Sequence, residues 1–253
     1  MLTKRIIPLF LLKGSRLVKG SHFGDYVDVG DPVSQAMIYD AQGAEEVVIL
    51  DIEATKHDRM IDTSIITEAI EKCRLPIAAG GGIKNLEDAH CCFRAGADKI
   101  VINSHAALNP DLVKEMSDEF GSQSVVASID VNKSAGGRYD VYIFSGTKKI
   151  DIGLEKLVET YLANGIGEII VTSIGQEGTL SGFDCDLYQK LRPLVNVPLI
   201  ASGGSGSYDD MVNLFQKSDC DGVALGKMLC LRDYDIVRIK SYLKGKNVLI
   251  RET

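Results

Sequence analysis

The sequence predicts an α/β fold in which eight βα units close into a barrel. Eight short apolar runs rich in Val and Ile alternate along the chain with longer segments that have the apolar spacing of amphipathic helices. Strands joined by crossover helices pair in parallel, because each helix must cover a face of the sheet. A length of 253 residues suits one (β/α)8 barrel, so we predict a single domain over residues 1–253.

The predicted strands are near-continuous apolar runs, as expected where helices bury both faces of a parallel sheet. In chain order they are RIIPLFLL, EEVVILDI, LPIAAGG, DKIVINS, SVVASIDV, GEIIVTSI, VPLIASGG and DGVALGK. The helical spacing is clearest in VSQAMIYDAQ, LEDAHCCFRAG, LEKLVETYLANG and YDDMVNLFQKS. We expect the basic segment after the first strand to be a loop. The glycine-flanked run RYDVYIF after the fifth strand predicts a small hairpin insertion over about residues 132–150.

An internal repeat favours a closed barrel over an open, doubly wound sheet. The segment GAEEVVILDI, from Gly43, resembles GIGEIIVTSI, from Gly165. The segment LPIAAGGG, from Leu75, resembles VPLIASGG, from Val197, and both pairs are 122 residues apart. Such constant spacing across two strands and their loops indicates that the second half of the chain repeats the first, with four βα units in each half.

Composition and charge exclude several classes of function. A formal net charge of −7 argues against a generalised nucleic-acid or anionic-membrane surface. No apolar run approaches the roughly 18 residues of a membrane helix. The six cysteines form no CxxC pair and no zinc-finger spacing. We therefore expect free thiols, no bound metal or cofactor, and a cytoplasmic location.

Two glycine pairs, Gly81–Gly82 and Gly203–Gly204, follow the third and seventh strands and predict phosphate sites. In α/β barrels the loops after the strands form the active site, and glycine lets the backbone approach a phosphate closely. The neighbouring loops add Asn103–Ser104 and Gly226–Lys227. Two such sites half a barrel apart indicate a long ligand with a phosphate at each end, although tight turns alone would also explain the glycines.

Polar residues at the predicted strand ends form the candidate catalytic face. They are Asp51, Asn103, Asp130, Thr172 and Glu177. An acid at the end of an apolar run costs free energy unless it is paired or functional, so Asp130 is the first candidate, with loop capping as the alternative. Glu177 either reaches into the barrel mouth or lies in a turn. In the first loop, Lys13, Arg16 and Lys19 either hold phosphate or lie in solvent.

Four charged residues stand at the opposite, N-terminal ends of the strands. They are Arg5, Glu46, Lys99 and Glu168. If their side chains point inward, they form a ring of alternating charge at the floor of the barrel. Inward charges must pair there, because burying a lone charge costs several kcal/mol. A stabilising layer of salt bridges is the alternative interpretation of the same ring.

Eight motifs resemble the cyclase subunit family of imidazole glycerol phosphate synthase over essentially the whole chain. They are MLTKRIIP, RLVKG, GDPV, AGGGIKNLEDA, GADKIVINS, GEIIVTSI, EGTLSGFD and VPLIASGGSG. The resemblance implies a barrel that binds a glutaminase at its N-terminal face and passes ammonia to a bis-phosphorylated ribulosyl substrate. It makes the four floor residues an ammonia gate and the two glycine loops phosphate sites. It also places Lys19, Asp51, Asn103, Asp130 and Thr172 in the active site.

The same resemblance implies two catalytic aspartates, an acid and a base, at the ends of the first and fifth strands. Asp130 matches the second, but Leu11 occupies the position of the first, and leucine cannot transfer a proton. Gly175 and Glu177 replace two further family aspartates after the sixth strand. These changes predict that cyclase activity is reduced or lost while ammonia delivery persists, with Glu177 as a candidate for the second proton-transferring group.

Family members altered in this way resemble the copies that accompany surface-polysaccharide genes. That resemblance implies transfer of ammonia to a separate ATP-dependent enzyme that converts an acetamido sugar to an acetamidino sugar. The alternatives are an authentic cyclase-lyase of histidine biosynthesis and a purely scaffolding barrel. The sister isomerase family is a more remote alternative. It shares the half repeat and both phosphate sites but needs no ammonia gate.

Overall fold

The computed structural model describes residues 3–231 and 234–251; residues 1, 2, 232, 233, 252 and 253, which the predicted domain limits include, lie outside these ranges. The strands are β1 (Arg5–Lys13), β2 (Arg16–Ser21), β3 (Gly24–Gly30), β4 (Val47–Asp51), β5 (Ile77–Gly80), β6 (Lys99–Ile102), β7 (Val125–Lys133), β8 (Tyr139–Ile143), β9 (Lys148–Gly153), β10 (Glu168–Ser173), β11 (Leu199–Ser202) and β12 (Gly222–Leu225). The helices are α1 (Pro32–Ala41), α2 (Thr63–Lys72), α3 (Leu86–Arg94), α4 (Ser104–Leu108), α5 (Asp111–Phe120), α6 (Leu154–Ala163), α7 (Cys185–Leu191), α8 (Tyr208–Ser218), α9 (Lys227–Leu231) and α10 (Ile236–Gly245).

Eight of these strands form a closed parallel barrel, which confirms the predicted (β/α)8 fold. Their order around the barrel is β1, β4, β5, β6, β7, β10, β11 and β12. Parallel pairing of β12 with β1 and of β7 with β10 completes the circle. Closure satisfies the hydrogen-bonding groups that an open sheet would leave at its edges.

Alternation along the barrel strands divides the interior into levels, because side chains two residues apart point to the same face of a strand. On β1 the sequence Arg5, Ile7, Leu9, Leu11 follows this period from the N-terminal end of the strand to its C-terminal end. A buried apolar layer takes one residue from each barrel strand: Ile7, Val48, Ala78, Val101, Val126, Ile170, Ile200 and Ala224. This inner layer separates the charged floor of the barrel from the polar residues at its mouth.

A hairpin of β2 and β3 follows β1, where the sequence analysis expected a loop. Leu11 on β1 pairs with Val18 on β2, so the first strand continues directly into an antiparallel ladder. The turn residues His22 and Phe23 have φ values of 51° and 61°. Type I′ hairpin turns have positive φ at both central positions, and Asn-Gly is their usual sequence signal. The prediction missed this turn because His-Phe carries no such signal.

The second hairpin, β8 and β9, extends β7 beyond the barrel. Its strands end at Gly153, past the limit near residue 150 that the sequence predicted. The tip of this hairpin reaches back to the barrel mouth. There the Phe144 N–H donates to Ser104 Oγ at 2.9 Å, and Ser145 Oγ donates to the Ile52 carbonyl at 2.7 Å.

The helices that follow the two glycine loops begin at capped residues. Asn85 accepts a hydrogen bond from the Asp88 N–H at the start of α3. Ser207 and Asp210 form a capping box at the start of α8, in which each side chain satisfies a backbone N–H of the other residue. These caps define where each glycine loop ends.

Two further observations concern the broad class of the protein. In residues 3–231 and 234–251, no helix is long and apolar enough to cross a membrane. All six cysteines are free thiols, and three of them are buried.

The inner layer predicts a stability difference between one of its members and an exposed aliphatic residue. We expect Ile170→Ala to lower the free energy of unfolding by about 2–5 kcal/mol, because it leaves a cavity in a closed layer. Val27→Ala, at a side chain that is 51% exposed, should change it by less than about 0.5 kcal/mol. Urea denaturation measures both values. Similar losses for the two variants would contradict this account of the barrel interior.

Candidate active site and the charged floor

A cavity at the C-terminal end of the barrel brings the predicted mouth residues together. It has a volume of about 1140 Å³, including space that is open to solvent. Among its lining residues are Leu11, Lys19, Asp51, Gly81, Gly82, Asn103, Ser104, Asp130, Thr172, Glu177, Gly203, Gly204, Gly226 and Lys227. The two glycine pairs follow β5 and β11, which lie opposite each other in the barrel. One cavity therefore spans both candidate phosphate sites.

Asp130 is the most strongly perturbed carboxyl group in this cavity. It is buried on β7, and its Oδ2 accepts a hydrogen bond from Asn103 Nδ2 at 2.8 Å. Burial raises the pKa of Asp130 to about 7; the Asn103 hydrogen bond opposes this rise and the Glu177 charge adds to it. A carboxyl group with such a pKa can accept or donate a proton near neutral pH.

Leu11 lies across the barrel from Asp130, because β1 and β7 are four strands apart in the closed order of eight. Its side chain is buried and lines the cavity. Leu9 and Leu50 line the same side, and Leu50 is the parallel partner of Leu11 on β4. The cavity is thus apolar where β1 ends and acidic where β7 ends.

Glu177 lies in the cavity as a second acid. Burial raises the pKa of Glu177, while the Phe23 N–H and the charges of Lys19 and Lys227 act in the opposite direction. The Phe23 N–H donates to Glu177 Oε2 at 3.4 Å, so the β2–β3 hairpin helps to position this carboxylate. Because the Glu177 charge contributes to the raised pKa of Asp130, the two acids influence each other's protonation.

Two lysines lie at the Gly203–Gly204 end of the cavity. Lys19 is buried and donates to the Leu9 carbonyl, and burial lowers its pKa. A Cβ added to Gly226 would come within 2.9 Å of Lys19 Nζ, so the amine packs against this glycine. Lys227 Nζ donates to Ser21 Oγ at 2.7 Å.

Backbone packing explains the glycine pairs as directly as phosphate binding does. All four glycines have φ between 71° and 122°. A Cβ on Gly82 would lie 1.8 Å from the Arg59 carbonyl oxygen, and one on Gly204 would lie 2.0 Å from that of Gly182. These loops therefore require glycine whatever binds next to them, and phosphate binding stays a prediction.

Asp51 already has protein partners for both carboxylate oxygens. Oδ1 accepts from the N–H groups of Glu53 and Ala54 at 3.0 and 3.1 Å, and Oδ2 pairs with Arg59 at 2.5 Å. The side chain therefore organises the turn after β4. Arg59 was not predicted as a site residue, because its proximity to Asp51 depends on a turn that has no periodic signal in the sequence.

The two hairpins contribute cavity residues that were not predicted from the sequence. Phe23 and Tyr26 come from the first hairpin and Ser145 from the second. Burial, with the nearby Glu177 and Asp130 charges, raises the pKa of Tyr26 to about 12, so its phenol keeps its proton at neutral pH. The alternating run GDYVDVG was the available signal for a strand at Tyr26.

The four charged residues at the other end of the barrel form a closed ring. Arg5 Nη1 lies 2.9 Å from Glu46 Oε1 and 3.1 Å from Glu168 Oε2. Lys99 Nζ lies 2.7 Å from Glu46 Oε2 and 3.0 Å from Glu168 Oε2. Each charge therefore contacts two opposite charges.

Burial raises the free-energy cost of keeping the side chains of this ring charged. The carboxylate side chains are 6% and 8% exposed, and the cationic ones about one fifth exposed. Burial and the neighbouring Glu168 charge raise the pKa of Glu46, against the attraction of Lys99 and Arg5. Removing one member would leave two buried opposite charges with a single partner each. A gating role for the ring stays a prediction.

Metal binding has no support from the side chains that the structure describes. In residues 3–231 and 234–251, no group of three or more His, Cys, Asp or Glu side chains is arranged to hold an ion.

The raised pKa of Asp130 predicts that the protein loses stability as pH rises. The pKa of an unfolded aspartate is near 3.8, so between about pH 4 and pH 7 the folded state binds a proton that the unfolded state releases. The resulting penalty is of the order of 4 kcal/mol above pH 7. Asp130→Asn should remove it, so the variant should gain stability relative to the wild type between pH 5 and pH 8.5 in urea denaturation.

Asn103→Ala serves as the matched variant. The amide of Asn103 opposes the rise in the pKa of Asp130, so removing this amide should move the loss of stability to higher pH. Parallel pH profiles for the wild type and Asp130→Asn would show that this carboxyl group titrates normally.

Comparisons with known proteins identify the family of the chain. Residues 5–235 match the family model described as histidine biosynthesis protein. A relative from Alkaliphilus metalliredigens is 38% identical over 251 residues, covering 99% of this chain and 100% of the relative. One from Leuconostoc mesenteroides subsp. mesenteroides is 40% identical over 251 residues, covering 99% of each chain. Both are named imidazole glycerol phosphate synthase subunit HisF. The chain therefore belongs to the histidine biosynthesis protein family and is HisF-like within it.

Proposed function

We propose that this HisF-like barrel receives ammonia from a glutaminase and no longer closes the imidazole ring efficiently. The observation that carries the proposal is Leu11, buried at the cavity wall across the barrel from Asp130. A reaction that needs an acid on one side and a base on the other lacks one of the two groups here. Loss of one positioned group typically costs about 10²–10⁴-fold in rate.

The interior of the barrel supports the ammonia route. Arg5 in the ring and Leu9 at the cavity are four residues apart on β1, which corresponds to a distance of about 13 Å along the strand. The apolar inner layer lies between them. Neutral ammonia enters such surroundings at a lower free-energy cost than ammonium does. A glutaminase bound at the N-terminal face would release ammonia next to the ring, and an ion pair of the ring would have to open to admit it.

The ammonia acceptor is the finer part of the proposal. We infer that the ammonia passes to a separate ATP-dependent enzyme that converts an acetamido group of a sugar to an acetamidino group during surface glycan biosynthesis. Replacing an amide oxygen by nitrogen requires activation of that oxygen, which ATP can provide. Leu11, Gly175 and Glu177, at three positions where the family resemblance implies aspartate, support a barrel that supplies ammonia without performing the ring closure.

An authentic cyclase-lyase of histidine biosynthesis is the second candidate. Two observations favour it: full-length relatives at 38–40% identity carry that enzyme's name, and Glu177 is a second buried acid in the same cavity. In this reading, Asp130 and Glu177 share the proton transfers that the missing aspartate would otherwise perform.

Turnover with two nitrogen sources separates these candidates. The purified chain, with its glutaminase partner, is incubated with the bis-phosphorylated ribulosyl substrate and either glutamine or high ammonium. We expect no imidazole glycerol phosphate from either source, together with faster glutamine hydrolysis when the barrel is present. Turnover to that product, or restored growth of a strain that lacks the histidine-pathway cyclase, would overturn the proposal in favour of the second candidate.

Leu11→Asp tests whether the cavity still fits the cyclase substrate. We expect less than a tenfold gain in ring closure, no more than in Leu11→Asn, which has similar shape but cannot transfer a proton. A gain in the 10²–10⁴-fold range for the aspartate alone would show that only the acid–base pair has been lost. The same steady-state assay with ammonium measures both variants.

A further inference from the structure

Glu46 is held in the charged ring differently from the other three members. Those three lie within strands, in register with a residue of a neighbouring strand: Arg5, Lys99 and Glu168. Glu46 comes one residue before β4 begins. Toward β1, the ladder of β4 starts at the pair of Leu9 and Val48, and Leu9 lies four residues beyond Arg5 on β1. In the described chain, backbone pairing with β1 therefore does not fix the position of Glu46.

A side chain bridges β1 and the start of β4 on the N-terminal side of their ladder. The Ile6 N–H, next to Arg5, donates to Glu45 Oε2 at 2.9 Å. N–H groups two residues apart point to the same edge of a strand, and the next position on this edge is Pro8, which has no N–H to donate. Glu45 thus ties the start of β1 to the segment that carries Glu46 by a hydrogen bond.

Lys240, on α10, compensates the charge of this carboxylate. Its Nζ lies 2.5 Å from Glu45 Oε1 and donates to the Gly43 carbonyl at 2.5 Å. Both side chains of the pair are only 8% exposed. A carboxylate this far from solvent needs a cation, because a lone buried charge is strongly unfavourable. The Glu45–Lys240 pair therefore joins α10 to the start of β1 and to the segment before β4.

Two contacts join the same two segments of chain, one inside the barrel and one outside it. Inside, Arg5 Nη1 pairs with Glu46 Oε1 at 2.9 Å. Outside, the Ile6 N–H binds Glu45, whose charge Lys240 balances. Because Glu45 and Glu46 are consecutive, and so are Arg5 and Ile6, a shift at the outer contact would change the separation of the inner pair.

We propose that Lys240 is a positioning residue of the charged ring, which through Glu45 fixes Glu46 against Arg5 at the seam between β1 and β4. The inference rests on the proposed function only in taking the ring as the passage for ammonia. In that function, this seam is the place where the ring opens, because backbone ladders hold the other three members.

The titration of Glu46 tests this role apart from any loss of stability. Inside the ring Glu46 faces Arg5, Lys99 and Glu168, and burial together with the Glu168 charge already raises its pKa. Lys240→Gln should raise the pKa of Glu46 further, because Glu46 then loses part of the attraction of Arg5. NMR spectroscopy of protein labelled with carbon-13 at the glutamate carboxyl groups measures this pKa, and Glu46→Gln assigns the signal. Lys240→Arg keeps the cation and should restore the wild-type titration.

Hydrogen exchange of the Ile6 amide reports on the same seam. Lys240→Gln should speed this exchange about tenfold, as expected for the loss of one charge-assisted hydrogen bond. Lys114→Gln is the matched control, because it removes a lysine whose ion pair with Asp118 is exposed. It should change neither the exchange at Ile6 nor the titration of Glu46. Thermal unfolding of each variant checks that the fold is intact.

An unchanged pKa of Glu46 in a folded Lys240→Gln protein would overturn the inference, and so would a Lys240→Arg protein that titrates like Lys240→Gln. If Lys240→Gln does not fold, Glu45→Ala combined with Lys240→Met removes the whole pair without leaving a buried charge. The pKa of Glu46 should rise in this double variant as well, and an unchanged value there has the same meaning. Neither measurement needs a glutaminase or transferred ammonia, so failure of this inference is distinguishable from failure of the proposed function.

Discussion

Pairing between β7 and β10 closes the sheet, and the closed ladder determines which side chains share a level inside the barrel. Because successive side chains point to opposite faces of a strand, every second residue of each barrel strand points into the interior. On β1 the inward residues are Arg5, Ile7, Leu9 and Leu11. The ladder therefore stacks the charged ring, the apolar layer and the cavity in one order, and a one-residue slip of a strand would turn its inward residues outward.

The charged ring is difficult to explain by stability alone. Four ionisable side chains lose much of their hydration at the floor, and their mutual attraction has to offset that cost. Buried ion pairs of this kind can often be replaced by well-packed apolar residues without loss of stability. A floor of packed Leu and Ile side chains would therefore suit a purely structural barrel equally well. This cost is the reason for proposing a gating role for the ring rather than a purely structural one.

At the other end, the chemistry of the cavity depends on contrasts between facing walls. Asp130 titrates near neutral pH because it is buried, while the wall opposite it, at Leu11, is apolar. The ends of the cavity differ as well, because Lys19 and Lys227 lie near Gly203–Gly204 and the neutral Ser104 lies near Gly81–Gly82. The two halves of the barrel repeat in backbone but have diverged in charge.

The amino-acid sequence by itself determined the (β/α)8 fold, the half repeat and the membership of the floor and the mouth. These features follow from local periodicity and from the rule that parallel strands end on the same side of a sheet. Only the tertiary structure decided that the segment after β1 is a hairpin, that Arg59 compensates Asp51, and that burial raises the pKa of Asp130 to about 7. Each of these depends on contacts between distant segments or on desolvation by the whole fold, which local sequence patterns do not encode.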